Sequence, residues 1–224
     1  QDESIALKEL YWYKQAGGVT ICDNGCYGLK CDPVKLRDVS KKSGVYILRG
    51  TGTYQDHTIP PEIAKLDVDA LAALFIKEIR EGIGDTGVRC GFIGEIGIVS
   101  SASERSIRSL AAAAIAQKET HAAITIHQPG LEHCADTLFR VITDNGGDLN
   151  KTVMCHCDPF LSEPEYLDHI AKSGAYSSFD FFGLEAVLGG NYWLPTDLDR
   201  IIGIKKQIER GNVERILLSH DTVY

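Results

Sequence analysis

The sequence predicts an α/β fold, a parallel sheet closed into a (β/α)8 TIM barrel, on three observations. First, short β-branched or apolar runs alternate with longer amphipathic stretches, the rhythm of successive βα units. Second, run after run ends in a group able to bind metal or move protons: Asp23, Glu95, His127, His156, Asp180 and Asp221. In a barrel such strand ends converge on one mouth, whereas strung along an open sheet most of them could never meet. Third, the Gly-rich phosphate fingerprint of an open nucleotide-binding sheet is missing. Gly82-x-Gly84-x-x-Gly87 follows a helical pattern and not a strand.

The elements read in order along the chain. Gly18–Asp23 (GVTICD) and Val45–Gly50 (VYILRG) are strand-like runs, and Pro60–Pro61 ends a polar loop and opens a helix. Val68–Glu81 spaces its apolar residues three and four apart, as a helix does, and Gly82 closes it. Cys90–Ile98 is the next strand; Ser103–Glu119 follows as a helix with a serine start. Ala123–His127, Cys134–Asn145, Thr152–Cys157, Glu165–Ser173, Ala175–Phe181, Leu198–Arg210 and Arg215–Asp221 continue the alternation of strand and helix. Gly146, Gly174 and Gly211 sit where left-handed caps are wanted. With no low-complexity tract or linker, residues 1–224 read as a single domain.

Composition narrows the partners. Lys plus Arg number 23 against 31 Asp plus Glu, a formal charge of −8, which argues against nucleic-acid or anionic-membrane surfaces that need basic patches. The mean hydropathy of −0.09 is ordinary for a globular chain, and no apolar run approaches the ~20 residues of a membrane span. The first ten residues, QDESIALKEL, are too polar for a signal peptide. Seven cysteines, odd in number and dispersed, read as reduced thiols and not as metal ligands. The expectation is a cytoplasmic protein acting on a small molecule.

His127 ends ITIH and His156 lies in VMCHC, each inside an apolar strand where an imidazole must be hydrogen-bonded or metallated. One such histidine alone reads as an ordinary core residue. Two on adjacent strands, with Glu95 on the strand before, point to a metal such as zinc, since imidazole and carboxylate suit first-row ions. Asp221 adds a second carboxylate, able to ligate metal or take a proton, or else to cap the following turn. Asp180 could hydrogen-bond a substrate or cap a loop. Tyr54, Arg49 and Trp193 could contact substrate or simply pack.

Four segments carry a resemblance: GFIGEIG (Gly91–Gly97), TIHQPG (Thr125–Gly130), the His156 strand and ILLSHD (Ile216–Asp221). They resemble, in order, the phosphotriesterase family of the amidohydrolase superfamily, and RGTGTYQDHTIPPEI (Arg49–Ile63) is similar to that family's third strand and loop. The GEIG element resembles the phosphotriesterase-related branch. The resemblance implies a hydrolase with two divalent metal ions, zinc by type. Glu95 would bridge them, His127 and His156 would hold one, and Asp221 would hold the other. Asp221 would also accept the proton of a metal-bridging hydroxide that attacks an ester, lactone, phosphoester or amide. The family's opening H-x-H pair is not found, so the expectation is a barrel without its first strand and last helix. Phe181 stands where many members carry a histidine, which favours another ester or an amide over the family's organophosphates. A homodimer fits such an acidic barrel. The other reading is an inactive barrel that binds a small ligand or one ion.

Overall fold

A computed structural model describes residues 2–185, 187–188 and 192–221; for 187–188 and 192–193 only the backbone is described. In chain order the strands are β1 (Thr20–Asp23), β2 (Tyr46–Thr51), β3 (Phe92–Gly97), β4 (Ile124–His127), β5 (Thr152–Cys155) and β6 (Tyr176–Phe179). The short hairpin β7 (Val187–Leu188) and β8 (Tyr192–Trp193) and the last strand β9 (Ile216–Leu218) follow. The helices are α1 (Glu3–Gln15), α2 (Pro33–Ser43), α3 (Pro61–Ala64), α4 (Val68–Arg80), α5 (Glu104–Thr120), α6 (Ala135–Asp144), α7 (Pro164–Ser173) and α8 (Asp197–Glu209). Seven strands pair in parallel in the order β1-β2-β3-β4-β5-β6-β9, so neighbours in space are neighbours in sequence apart from the hairpin.

The helix starts follow from local chemistry. Asp32 accepts the amides of Val34 and Lys35 ahead of α2, with Pro33 opening its first turn. Ser103 accepts from Ser106 at the head of α5, and Thr196 with Asp199 forms a capping box on α8. The core lies between the helices and the outer face of the sheet. There Phe75 of α4, Leu110 of α5 and Leu138 of α6 pack with Ile93, Ile96, Ile124, Ile126 and Met154, all buried.

Strand β3 carries one irregularity. Its register against β4 shifts between Ile93 and Ile96, the mark of a bulge that re-aims a side chain. Gly94 sits in that shift at φ +136°, and a Cβ there would lie 2.0 Å from Thr125 Oγ1. Only glycine fits, so Gly94 within the GFIGEIG run is a backbone requirement.

The strands are shorter than the apolar runs suggested, and β5 stops at Cys155, one residue before His156. His156 therefore leaves the sheet, at φ +60°, and the alternation expected through Cys157 does not hold. Among the described residues β1 and β9 are the sheet's edges; the closed eight-stranded barrel is not formed by them. Val19, ahead of β1, and Leu217 and Leu218 on β9 expose apolar surface at those edges. No helix is long and apolar enough to cross a membrane among the described residues. All seven cysteines are free thiols.

Candidate metal centre

Parallel strands in sequential order bring all their C-terminal ends to one side. Glu95 from β3, His127 at the end of β4 and His156 just after β5 meet there. One donor atom from each lies within 4.8 Å of the other two. His127 Nδ1 stands 2.8 Å from His156 Nε2, and 3.5 Å from Glu95 Oε2. His156 Nε2 stands 3.4 Å from Glu95 Oε1. Glu95 and His156 are buried, His127 half-buried.

Each ring nitrogen that faces away from this triangle has its own partner. His156 Nδ1 lies 2.8 Å from Asp180 Oδ1, and the His156 amide also donates to both Asp180 oxygens at 3.0 and 3.1 Å. His127 Nε2 lies 3.0 Å from the side-chain amide of Gln55. Phe181 stacks on the His156 ring with centroids 4.8 Å apart and planes 4° from parallel. Tyr54 meets His127 edge-on, its hydroxyl 3.4 Å from Nδ1. Gln128 donates to the carbonyls of Cys155 and His156 at 2.7 and 3.1 Å, which holds the turn that carries His156.

The electrostatics are those of a tightly coupled cluster. Burial alone would raise the Glu95 carboxyl, but His127 and His156 outweigh it and pull it down to about 2. Burial would lower His156; Asp180 and Glu95 reverse this and push it up to about 11. Burial also raises Asp221, with His156 and His127 opposing and Glu95 and Asp180 adding to the rise. Tyr54 is raised by burial and by Glu95 and Asp221. Asp221 and Tyr54 thus feel the same cluster.

These residues fit a metal ion. Glu95 Oε1 is buried with no hydrogen-bond partner, an unusual cost unless something else satisfies it. Three ligands on tetrahedral arms of about 2.0–2.1 Å would be separated by about 3.3 Å. The two ring nitrogens are 2.8 Å apart, and each has a different Glu95 oxygen close by, Oε2 at 3.5 Å from His127 and Oε1 at 3.4 Å from His156, with one donor from each residue within 4.8 Å of the other two. The two imidazoles present opposite nitrogens, Nδ1 and Nε2, and each has its second nitrogen held by a neighbour, as ligating histidines do.

The structure treats the other expected residues differently. Asp180, expected to meet substrate or cap a loop, is buried and spends both oxygens on His156; it orients that ring. Arg49, expected at the mouth, lines a separate cleft of about 210 Å³ with Leu36, Arg37 and Arg89. Strand period two explains this: Arg49 shares a face with Ile47, which packs under α1 and α2, so both point to the helices. Asp221 follows β9 but does not belong to the three-donor group. The Trp193 side chain lies outside the described residues. Sequence reasoning did not single out Gln55 or Gln128, although both fall inside the segments that carry the family resemblance. A neutral amide carries no signal until its neighbour in space is known. A cleft of about 530 Å³ opens beside His127, walled by Gln55, Ile98, Val99, Pro129 and Leu131.

A parallel, curled α/β sheet that gathers one carboxylate and two imidazoles at its strand ends defines a class, barrel-like proteins whose mouth offers ligands to a metal ion. Within that class the chain belongs to the phosphotriesterase family, whose profile matches residues 1–224. It is 34% identical over 220 residues to the phosphotriesterase-related protein of Nematostella vectensis, covering 96% of this chain and 62% of that protein. It is 31% identical over 224 residues to the N-acetyltaurine hydrolase of Homo sapiens, covering 99% and 64%. A resiniferatoxin-binding protein from Rhodobacter sphaeroides superposes with a TM-score of 0.96 at 34% identity, over 99% of this chain and 62% of that one. The phosphotriesterase homology protein from Escherichia coli, complexed with phosphate in its active site, shares the fold (TM-score 0.87, 24% identity, 99% and 74% covered). The chain spans a little under two thirds of the length of these curated relatives.

Proposed function

We propose that this protein is a metal-dependent hydrolase that cleaves an acyl bond, an amide or ester, in a small molecule, within one domain. The observation that carries the reading is the triangle of Glu95, His127 and His156 with its unpartnered carboxylate oxygen. Hydrolases named for an amide substrate, N-acetyltaurine, stand among the relatives and support the choice of an amide. Phe181, stacked on His156, leaves no imidazole at that position for other chemistry.

In this reading Glu95, His127 and His156, with Asp221 nearby, would hold divalent ions, two in number and zinc by donor type. Such ions, when bound, polarise the scissile carbonyl and make water a nucleophile near neutral pH. The chain's own residues do the rest. Glu95 keeps its negative charge throughout, since its carboxyl is held at about 2. Asp221, raised by burial, is suited to take a proton on its carboxylate as water adds to the carbonyl carbon. On the cleft wall Val99, Pro129 and Leu131 suit an acyl or alkyl part, beside the polar Gln55 and Glu132, and Tyr54 can hydrogen-bond the polar end. The exposed apolar residues at β1 and β9 support closure of the sheet by a further βα unit into a (β/α)8 barrel.

Metal analysis of the full-length protein, with turnover measured on N-acyl amino sulfonates, N-acyl amino acids, carboxylic esters and lactones, tests this. Metal together with acyl-bond turnover is the expected result; no bound metal would overturn it. A second reading, a barrel that binds a small apolar ligand without turnover, is favoured by the structural likeness to a protein described as resiniferatoxin-binding. Metal without turnover on every substrate, together with ligand binding, would select it.

A further inference from the structure

Arg200 is a charged residue in α8, yet its side chain is wholly buried. Its Nε donates to Asp158 Oδ1 at 2.7 Å, and Asp158 is equally buried. Asp158 Oδ2 in turn accepts the amide of Asp180 at 3.0 Å. Asp180 holds both the amide and Nδ1 of His156. Three links therefore run from α8 to a ring in the metal centre. A second route runs through the loop after β6. Arg200 donates to the Leu184 carbonyl at 2.9 Å, the Leu184 amide donates to the Phe181 carbonyl at 2.9 Å, and Phe181 stacks on His156. The close approach of α8 is itself built in. At Gly203 a Cβ would lie 2.6 Å from Leu161, in the turn that begins at Asp158.

A buried ion pair costs desolvation that its attraction barely repays, and an apolar pair of the same volume often serves stability as well. Fixing one geometry is the use such a pair can have that an apolar pair cannot. We propose that Arg200 is a positioning residue for the metal centre. Through Asp158 and Asp180 on one side and Phe181 on the other, it sets the angle at which His156 Nε2 faces Glu95 and His127. This rests on the metal-site reading above and deepens it. The guanidinium is suited to the task because its planar fork reaches Asp158 and Leu184 at once, which a lysine ammonium cannot do with fixed geometry.

The test is Zn²⁺ affinity of the full-length protein, measured against a competing chelator, together with the visible spectrum of the Co²⁺-loaded form and the melting temperature. Wild type and His156→Ala are run alongside. If wild type binds no metal or His156→Ala binds as wild type, the metal-site reading fails, and this inference with it. With those controls in order, Arg200→Lys should weaken Zn²⁺ about 10-fold or more, the size of loss typical for outer partners of metal ligands, and alter the Co²⁺ bands. Ile204→Ala, which opens the core under the same helix, should lower the melting temperature and leave affinity within about 3-fold. Arg200→Met with Asp158→Asn removes the two charges of the buried pair, leaving Asp197, the guanidinium's half-exposed second carboxylate partner at 2.6 Å, in place; it serves if the lysine variant does not fold, and it too should weaken Zn²⁺. Affinity that follows melting temperature alike in Arg200→Lys and Ile204→Ala would overturn the proposal. So would wild-type affinity in the double variant, or failure of both Arg200 variants to fold, which would assign Arg200 to the fold alone.

Discussion

His127 Nδ1 and His156 Nε2 face each other 2.8 Å apart, although the residues are 29 positions apart in the chain. His156 is pushed up to about 11, so below that pH both its nitrogens carry protons: Nδ1–H donates to Asp180 and Nε2–H faces His127 Nδ1. A metal ion at this point would replace that Nε2 proton. His127 would then carry its proton on Nε2, and the Gln55 amide would turn its oxygen toward the ring.

The two histidines should therefore act on one metal. His127→Ala and His156→Ala are each expected to lower the metal-to-protein ratio of the full-length protein from about two toward one. Elemental analysis after dialysis checks this, and an unchanged ratio in both variants returns the rings to the ordinary core.

Glu95→Gln should keep the fold and lose at least one metal, with turnover down by several orders of magnitude. Gln matches Glu in size but is neutral, and its NH2 cannot ligate a cation. Arg49 lies in a different cleft, so no ion pair to it is at stake. Metal content and melting temperature measured on the same variant decide the matter. Full occupancy with a lowered melting temperature would count against Glu95 as a ligand.

Metal binding should release about one proton and weaken as pH falls. His156, pushed up to about 11 by Asp180 and Glu95 against the effect of burial, must give up its proton to ligate. Below that value each pH unit should cost about tenfold in apparent affinity. Stripped with a chelator, the protein carries a different dependence. The His156 contribution to stability is full below its ordinary 6.5 and is lost as pH rises toward about 11. That of Glu95 is full above its ordinary 4.5 and is lost as pH falls toward about 2. Titration calorimetry in buffers of different ionisation enthalpy reads the proton count, and melting curves read the window.

Asp180→Asn should leave the fold cooperative but weaken the metal about 10- to 100-fold, because the charge that holds Nδ1–H of His156 is gone. Equal affinity in the two proteins would show that ring orientation does not depend on that carboxylate.

Gly94→Ala should destabilise by about 3 kcal/mol or more, combining an unfavourable backbone region with overpacking against Thr125. Denaturant unfolding measures it. A loss under about 1 kcal/mol would mean that the β3 bulge can relax without harm.

Much of the fold could be read from the chain because strand and helix periods depend on neighbours in sequence. Seven runs and five amphipathic stretches became strands and helices near their expected bounds. Boundaries slipped where the backbone turns on a single residue, as at His156, whose φ of +60° no apolar pattern announces. The β7–β8 hairpin, two residues to a strand, offers no period to read and is not among the expected elements.

The sequence by itself singled out Glu95, His127 and His156, because each closes or interrupts an apolar run, and a parallel sheet of successive βα units gathers such positions on one side; in the structure His127 ends β4, His156 follows β5, and Glu95 lies inside β3, two residues before its end. It could not say which neighbours complete the site. Asp180, read as a substrate contact or a loop cap, is placed against His156, and Arg49 faces the helices with Ile47. Gln55 and Arg200 entered through contacts spanning 72 and 42 residues. Only the tertiary structure decides such roles, since hydrogen bonds and charge pairs act over a few ångströms in space, and sequence separation sets no limit on which groups come that close.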